Sequence, residues 1–162
     1  MLQRNLVIAM LFVSGSPGAL VAEGGHTIEG LGAVSFPVSC RPELTPAFER
    51  GVALLHSFEY VAAREAFERV IADDPACAMA HWGVSMSQFH PLWAAPTAAE
   101  LAAGLAASLR AVELATASKP SERERGYISA LASFWSDAAS ADHKTRAARY
   151  RDAMGELSRR FP

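Results

Sequence analysis

The sequence predicts an all-α protein of about six helices, arranged as antiparallel pairs that stack side by side. Three observations carry this. Apolar residues recur at spacings of three and four, as in Phe48, Val52, Leu55 and then Ala63, Phe67, Val70, Ile71; that is the stripe of an amphipathic helix. The 162 residues are 51% hydrophobic, rich in alanine and poor in clustered β-branched residues, which favours helices over a large sheet. Caps and prolines punctuate the stripes, with Pro42, Pro75, Pro120 and Pro162 each separated by about the length of one helix pair. A single pair cannot bury its apolar flank alone, so it packs on the next and leaves a surface for partners.

The first 22 residues are set apart from this pattern. Arg4 gives a positive start, residues 6–13 are apolar, and Ser14-Gly15-Ser16-Pro17-Gly18 breaks the run. This is the layout of a signal peptide, and the run is too short to span a membrane as a helix. Cleavage is expected after Ala22, with Ala19 a second candidate. The chain is thus expected to be periplasmic or secreted, with no membrane insertion after cleavage. Residues 23–41 hold Gly24, Gly25, Gly30 and Gly32 and then Val34-Ser35-Phe36-Pro37. They read as a flexible lead-in, mobile over 23–29, whose Phe36 docks on the first helix. Cys40 and Cys77 are the two cysteines. In an exported chain an even count favours a disulfide, with two free buried thiols the alternative.

Residues 42–162 form the helical domain, in units of about 44–77, 78–119 and 120–162. Thr45-Pro46 reads as a cap and first helical residue, opening a helix that runs to about Ser57. The second helix covers 61–72. Asp74-Pro75 opens the third, whose stripe is Met79, Trp82, Met86 and Phe89 and which ends at His90-Pro91. Thr97 and Glu100 make a capping box ahead of a stripe of Leu101, Leu105, Leu109 and Val112. Gly104 in that helix suggests close packing. Ser121 and Glu124 make a second box, followed by Ile128, Leu131 and Trp135. Asp142 caps the last helix, whose stripe is Ala147, Tyr150, Met154, Leu157 and Phe161. No polar capping helix follows, so a longer array, or self-association through that end, is expected.

Residues 44–77 resemble the tetratricopeptide repeat. Gly51 fits the helix crossing, Leu54 and Ala63 the inner packing, Phe67 the interface, and Pro75 the close of the unit. Ala78-Met79-Ala80-His81-Trp82-Gly83 looks like the start of a second repeat. Together with Ser39-Cys40, residues 54–58 and His90-Pro91-Leu92-Trp93, these runs resemble a group of exported bacterial tetratricopeptide proteins over about residues 34–162. The resemblance implies a right-handed solenoid with a scaffolding or peptide-binding role. It implies no catalytic residue and no cofactor.

The expected function is therefore recognition of a protein or peptide on the concave face. Glu49, His81, Ser85 and Gln88 on the first helices, and Leu92 and Trp93 in the following loop, are the candidate contacts. A formal charge of −2, mixed in sign along the chain, excludes the basic face of a nucleic-acid binder. The alternative is a metal-binding protein or enzyme subunit using His56, His81 and His90, with Cys77 four residues before His81; a truncated architectural fragment is a third reading. Trp82, Phe89, Trp93 and Trp135 could form an aromatic cage, though core packing is the commoner role for such a stripe. Arg123, Arg125, Arg146, Arg149, Arg151, Arg159 and Arg160 are interleaved with acids, as on a solvated helix face. Walker, His-Glu-x-x-His and Gly-x-Ser-x-Gly motifs do not occur.

Overall fold

The computed structural model describes residues 30–91 and 94–162. Over these the chain is all-helical, with six α-helices and no strand: α1 (Thr45–His56), α2 (Tyr60–Asp73), α3 (Ala78–Met86), α4 (Ala98–Ser118), α5 (Glu122–Trp135) and α6 (His143–Arg160). The expected leader and residues 23–29 lie outside the described residues. Each helix packs on its neighbours in sequence, and α3 also touches α1 and α5. α1, α3 and α5 thus share one face of the molecule.

Two helix starts differ from expectation. Thr45 is not a cap but the first residue of α1, because a 3-10 turn over Pro42–Leu44 delivers the chain already coiled. α3 begins at Ala78, not at Pro75. The Asp74 carboxylate accepts from the backbone N–H groups of Arg41 and Ala76, at 3.0 and 3.2 Å, and the Asp74 carbonyl accepts from Cys77. These bonds make a turn out of the residues expected to open the helix. Both capping boxes form as expected, at Thr97/Glu100 and Ser121/Glu124, and Asp142 caps α6 through the Thr145 N–H.

The core runs continuously from Phe48, Val52 and Leu54 through Phe67, Met79 and Trp82 to Leu131, Phe134 and Trp135. The Phe67 ring is wedged between α1 and α3. A Cβ at Gly51 would lie 2.7 Å from it, and one at Gly83 2.5 Å.

α4 corrects the expected stripe. Leu105, Leu109 and Val112 face outward, Leu109 being 60% exposed. The buried positions are Gly104, Ser108, Ala111, Leu114 and Ala115. Close approach decides this. A Cβ at Gly104 would lie 2.5 Å from the Trp135 ring, and the Gly104 carbonyl accepts a 2.8 Å hydrogen bond from Ser85 Oγ on α3. A face of small residues admits neighbours that a leucine face would hold off.

A candidate peptide groove

Cys40 and Cys77 are joined in a disulfide, with Cα atoms 4.9 Å apart. The bond fastens the end of a strap, residues 31–40, which runs without helix or strand across α1, α3 and α5. The lead-in is therefore fixed over these residues. Phe36 docks on α1, as expected, and also on α3 and α5. Its ring centroid lies 5.7 Å from that of Phe48, 6.2 Å from Trp82 and 5.1 Å from Tyr127. The Arg123 guanidinium sits 4.6 Å over the same ring, a cation–π contact.

Polar contacts hold the strap backbone. The Phe36 N–H donates to Glu49 Oε1 at 2.8 Å. Arg123 donates to the Pro37 carbonyl at 3.0 Å. Ser39 donates twice to the Glu124 carboxylate, from its backbone N–H at 2.6 Å and its hydroxyl at 2.5 Å. Glu124 is 1% exposed and also closes the Ser121 capping box. Burial pushes its carboxyl up, but the bonds from Ser39 and Ser121 outweigh this and leave it below the ordinary glutamate value.

Beside Phe36 an open cavity of about 370 Å³ continues along the same face. Val52, Leu55 and His56 of α1, Trp82 and Met86 of α3, Tyr127 of α5, and Tyr150 and Met154 of α6 line it, with Phe58, Tyr60, Phe89 and Pro91 at the loops. Tyr150 donates to the Met86 sulfur at 3.7 Å; burial pushes its phenol up to about 12, with Tyr127 adding to the effect. The buried Trp82 indole N–H has no partner among the described residues. Phe58 stands at the rim in the left-handed region, φ 62°, with 48% of its surface exposed. A bulky residue held there is strained.

The expected contact residues fall in different places. Glu49 is engaged by the strap and does not line the open cavity, bordering instead a separate pocket with Leu31, Gly32 and Val34. Ser85 is corrected: it is fully buried and spends its hydroxyl on Gly104. His81 is half-buried with Nε2 3.3 Å from the Pro75 carbonyl, and it does not line the cavity. Burial lowers its pKa. Gln88 borders a second, more polar cavity of about 300 Å³, with Arg64, His90 and Glu100. Leu92 and Trp93 lie outside the described residues.

The histidines do not converge. His56 lines the apolar cavity, and His90 packs on the Tyr60 ring at 4.2 Å, bonded to the Ser87 carbonyl. Among the described residues the one grouping of potential metal ligands is Cys40, Asp74 and Cys77, where both sulfurs are consumed by the disulfide. That bond also removes the Cys77 thiolate from any pairing with His81.

Of the aromatic set, Trp82, Phe89 and Trp135 are all buried in the core, as the commoner role had it; Trp82 and Phe89 also present a face to the cavity, and Trp93 lies outside the described residues. Arg146, expected on a solvated face, is 4% exposed and crosses to donate to the Phe134 carbonyl at 3.0 Å. Phe36, Phe58, Tyr60, Tyr127 and Tyr150 are the aromatic groove residues that sequence reasoning did not assign to a site. The signal for Phe36 was present in its apolar Phe-Pro context; Tyr127 carries none that distinguishes it from core. Comparison with models of protein families, with curated proteins and with solved structures gives no significant match.

Proposed function

We propose that this chain is a non-catalytic helix-pair module, tetratricopeptide-like in plan, that binds an unfolded segment of another protein along α1, α3 and α5. One observation carries the reading. The face already holds a peptide, the chain's own residues 34–40, by an aromatic anchor and backbone hydrogen bonds, as a helical groove holds a partner segment. The open cavity beyond Phe36 extends the same surface. It is apolar and aromatic, with His56 the one ionisable group besides the three tyrosine phenols, which suits side-chain recognition. A right-handed stack of three pairs, α1/α2, α3/α4 and α5/α6, with this face concave, is the arrangement the reading requires. The disulfide, and the lack among the described residues of any helix long and apolar enough to cross a membrane, agree with export to the periplasm or beyond.

The test is selection of displayed random 12-residue peptides on the oxidised protein, with Met154→Trp as a variant that fills the cavity. The expected result is enrichment of peptides bearing an aromatic residue, whose binding is lost in the variant while its helical circular-dichroism spectrum is kept. Failure to enrich any peptide, or equal binding to the variant, defeats the proposal.

A further inference from the structure

The strap and the open cavity share walls: Phe36, Trp82 and Tyr127 belong to both. The strap is held as one chain holds another, through side chains of α1 and α5 that reach its backbone. The disulfide that follows at Cys40 keeps it covalently near. We infer that residues 34–38 are a tethered stand-in for the partner's recognition segment, and that the partner is an extended peptide with a phenylalanine followed by proline between apolar residues, which binds by displacing the strap.

This rests on the peptide-binding reading above and names its ligand. The site's chemistry selects that pattern. Three aromatic rings and a guanidinium surround the Phe36 ring, so a flat uncharged ring gains contact on several sides. Proline at the next position keeps the preceding residue extended and adds no N–H to be satisfied. Its carbonyl is the group Arg123 holds. Glu49 and Glu124 accept from the strap backbone, so an acidic segment is repelled. A short tether gives an occupant an effective concentration in the millimolar range. The strap therefore lowers the apparent affinity for any competitor by the fraction of time it is away.

The probe is a synthetic peptide with the sequence of residues 33–39, capped at both ends, titrated by calorimetry. It is compared with the same peptide carrying alanine for its phenylalanine. The receptors are the oxidised wild type, Phe36→Ala, which empties the aromatic box with the disulfide intact, and Phe36→Ala combined with Cys40→Ser/Cys77→Ser, which also releases the strap's fastened end. Folding of each is checked by circular dichroism, and either variant alone suffices. The expected result is binding at least about tenfold tighter to the folded variants than to wild type, and none for the alanine peptide. Equal affinity for wild type and variants, or equal binding of the two peptides, overturns the inference. If displayed peptides bind the wild type but this probe binds no form, the inference fails and the peptide-binding reading stands; if neither binds, both fail.

Discussion

Single residues decide how closely the helices approach. Gly83 faces the flat of the Phe67 ring, and an added Cβ would sit 2.5–2.6 Å from three of its atoms. The ring cannot retreat, since Gly51 of α1 meets its other edge. Gly83→Ala should destabilise by roughly 1–3 kcal/mol in urea melts. Gly32→Ala, with nothing within 4 Å of its new Cβ, is the control and should move the midpoint little. Arg146 makes a different kind of contact. Its guanidinium lies 4.9 Å over the Phe134 ring while donating to the Phe134 carbonyl in the last turn of α5. A cation there satisfies a carbonyl that the helix leaves without a partner. Arg146→Ala should cost about 2 kcal/mol, because the carbonyl then stays buried and unbonded; a loss under about 0.5 kcal/mol would show that water replaces the guanidinium.

At the scale of elements, the strap is pinned to α5 by one carboxylate. Glu124 is held below its ordinary value of 4.5 by bonds that outweigh its burial. A carboxyl depressed in the folded state contributes fully above its unfolded value and loses that contribution as pH falls through the lower folded value. Ser39 should therefore keep its hydrogen-exchange protection at neutral pH and lose it as the pH drops below 4.5. Exchange rates corrected for intrinsic pH dependence test this, and protection unchanged to strong acid would refute it. The six helices were legible because stripes and caps are local signals: Thr97 with Glu100, Ser121 with Glu124, and Asp142 all cap where their spacing placed them. The facing of α4 was not legible. Its leucines repeat as a core stripe should, yet Gly104, Ser108 and Ala111 are buried instead, because the choice depends on Trp135, 31 positions away in sequence. The groove was legible only in part for the same reason. Positions such as Trp82 and Met86 follow from helical spacing, whereas the meeting of Phe36 with Tyr127 depends on chain path. Ser85 shows the converse: a polar residue on a first helix reads as a partner contact until its acceptor, the Gly104 carbonyl, is known.

At the scale of the whole molecule, one strap touches α1, α3 and α5, and one covalent bond fastens its end just ahead of α3. The disulfide closes 37 residues between the strap and the start of α3, and Ser39 next to it grips α5. α1 and α2 meet α5 and α6 chiefly by way of α3 and α4, and units coupled only through a neighbour unfold less cooperatively; a crossing strap couples the first unit to the third. Removing the bond therefore does two things. It returns conformational entropy to the unfolded chain, worth roughly 3–4 kcal/mol for a loop of this length in the chain-entropy model. It also loosens the coupling between pairs. Cys40→Ser/Cys77→Ser should lower the unfolding free energy by about that amount relative to the oxidised wild type, with a correspondingly lower urea midpoint, and the transition should broaden as α1 and α2 separate from α5 and α6. Coincident curves by circular dichroism and by tryptophan fluorescence are expected for the oxidised chain and divergent ones for the double variant. A variant that melts in a single coincident transition, only shifted, would show that helix contacts alone transmit the cooperativity and that the strap takes no part in it.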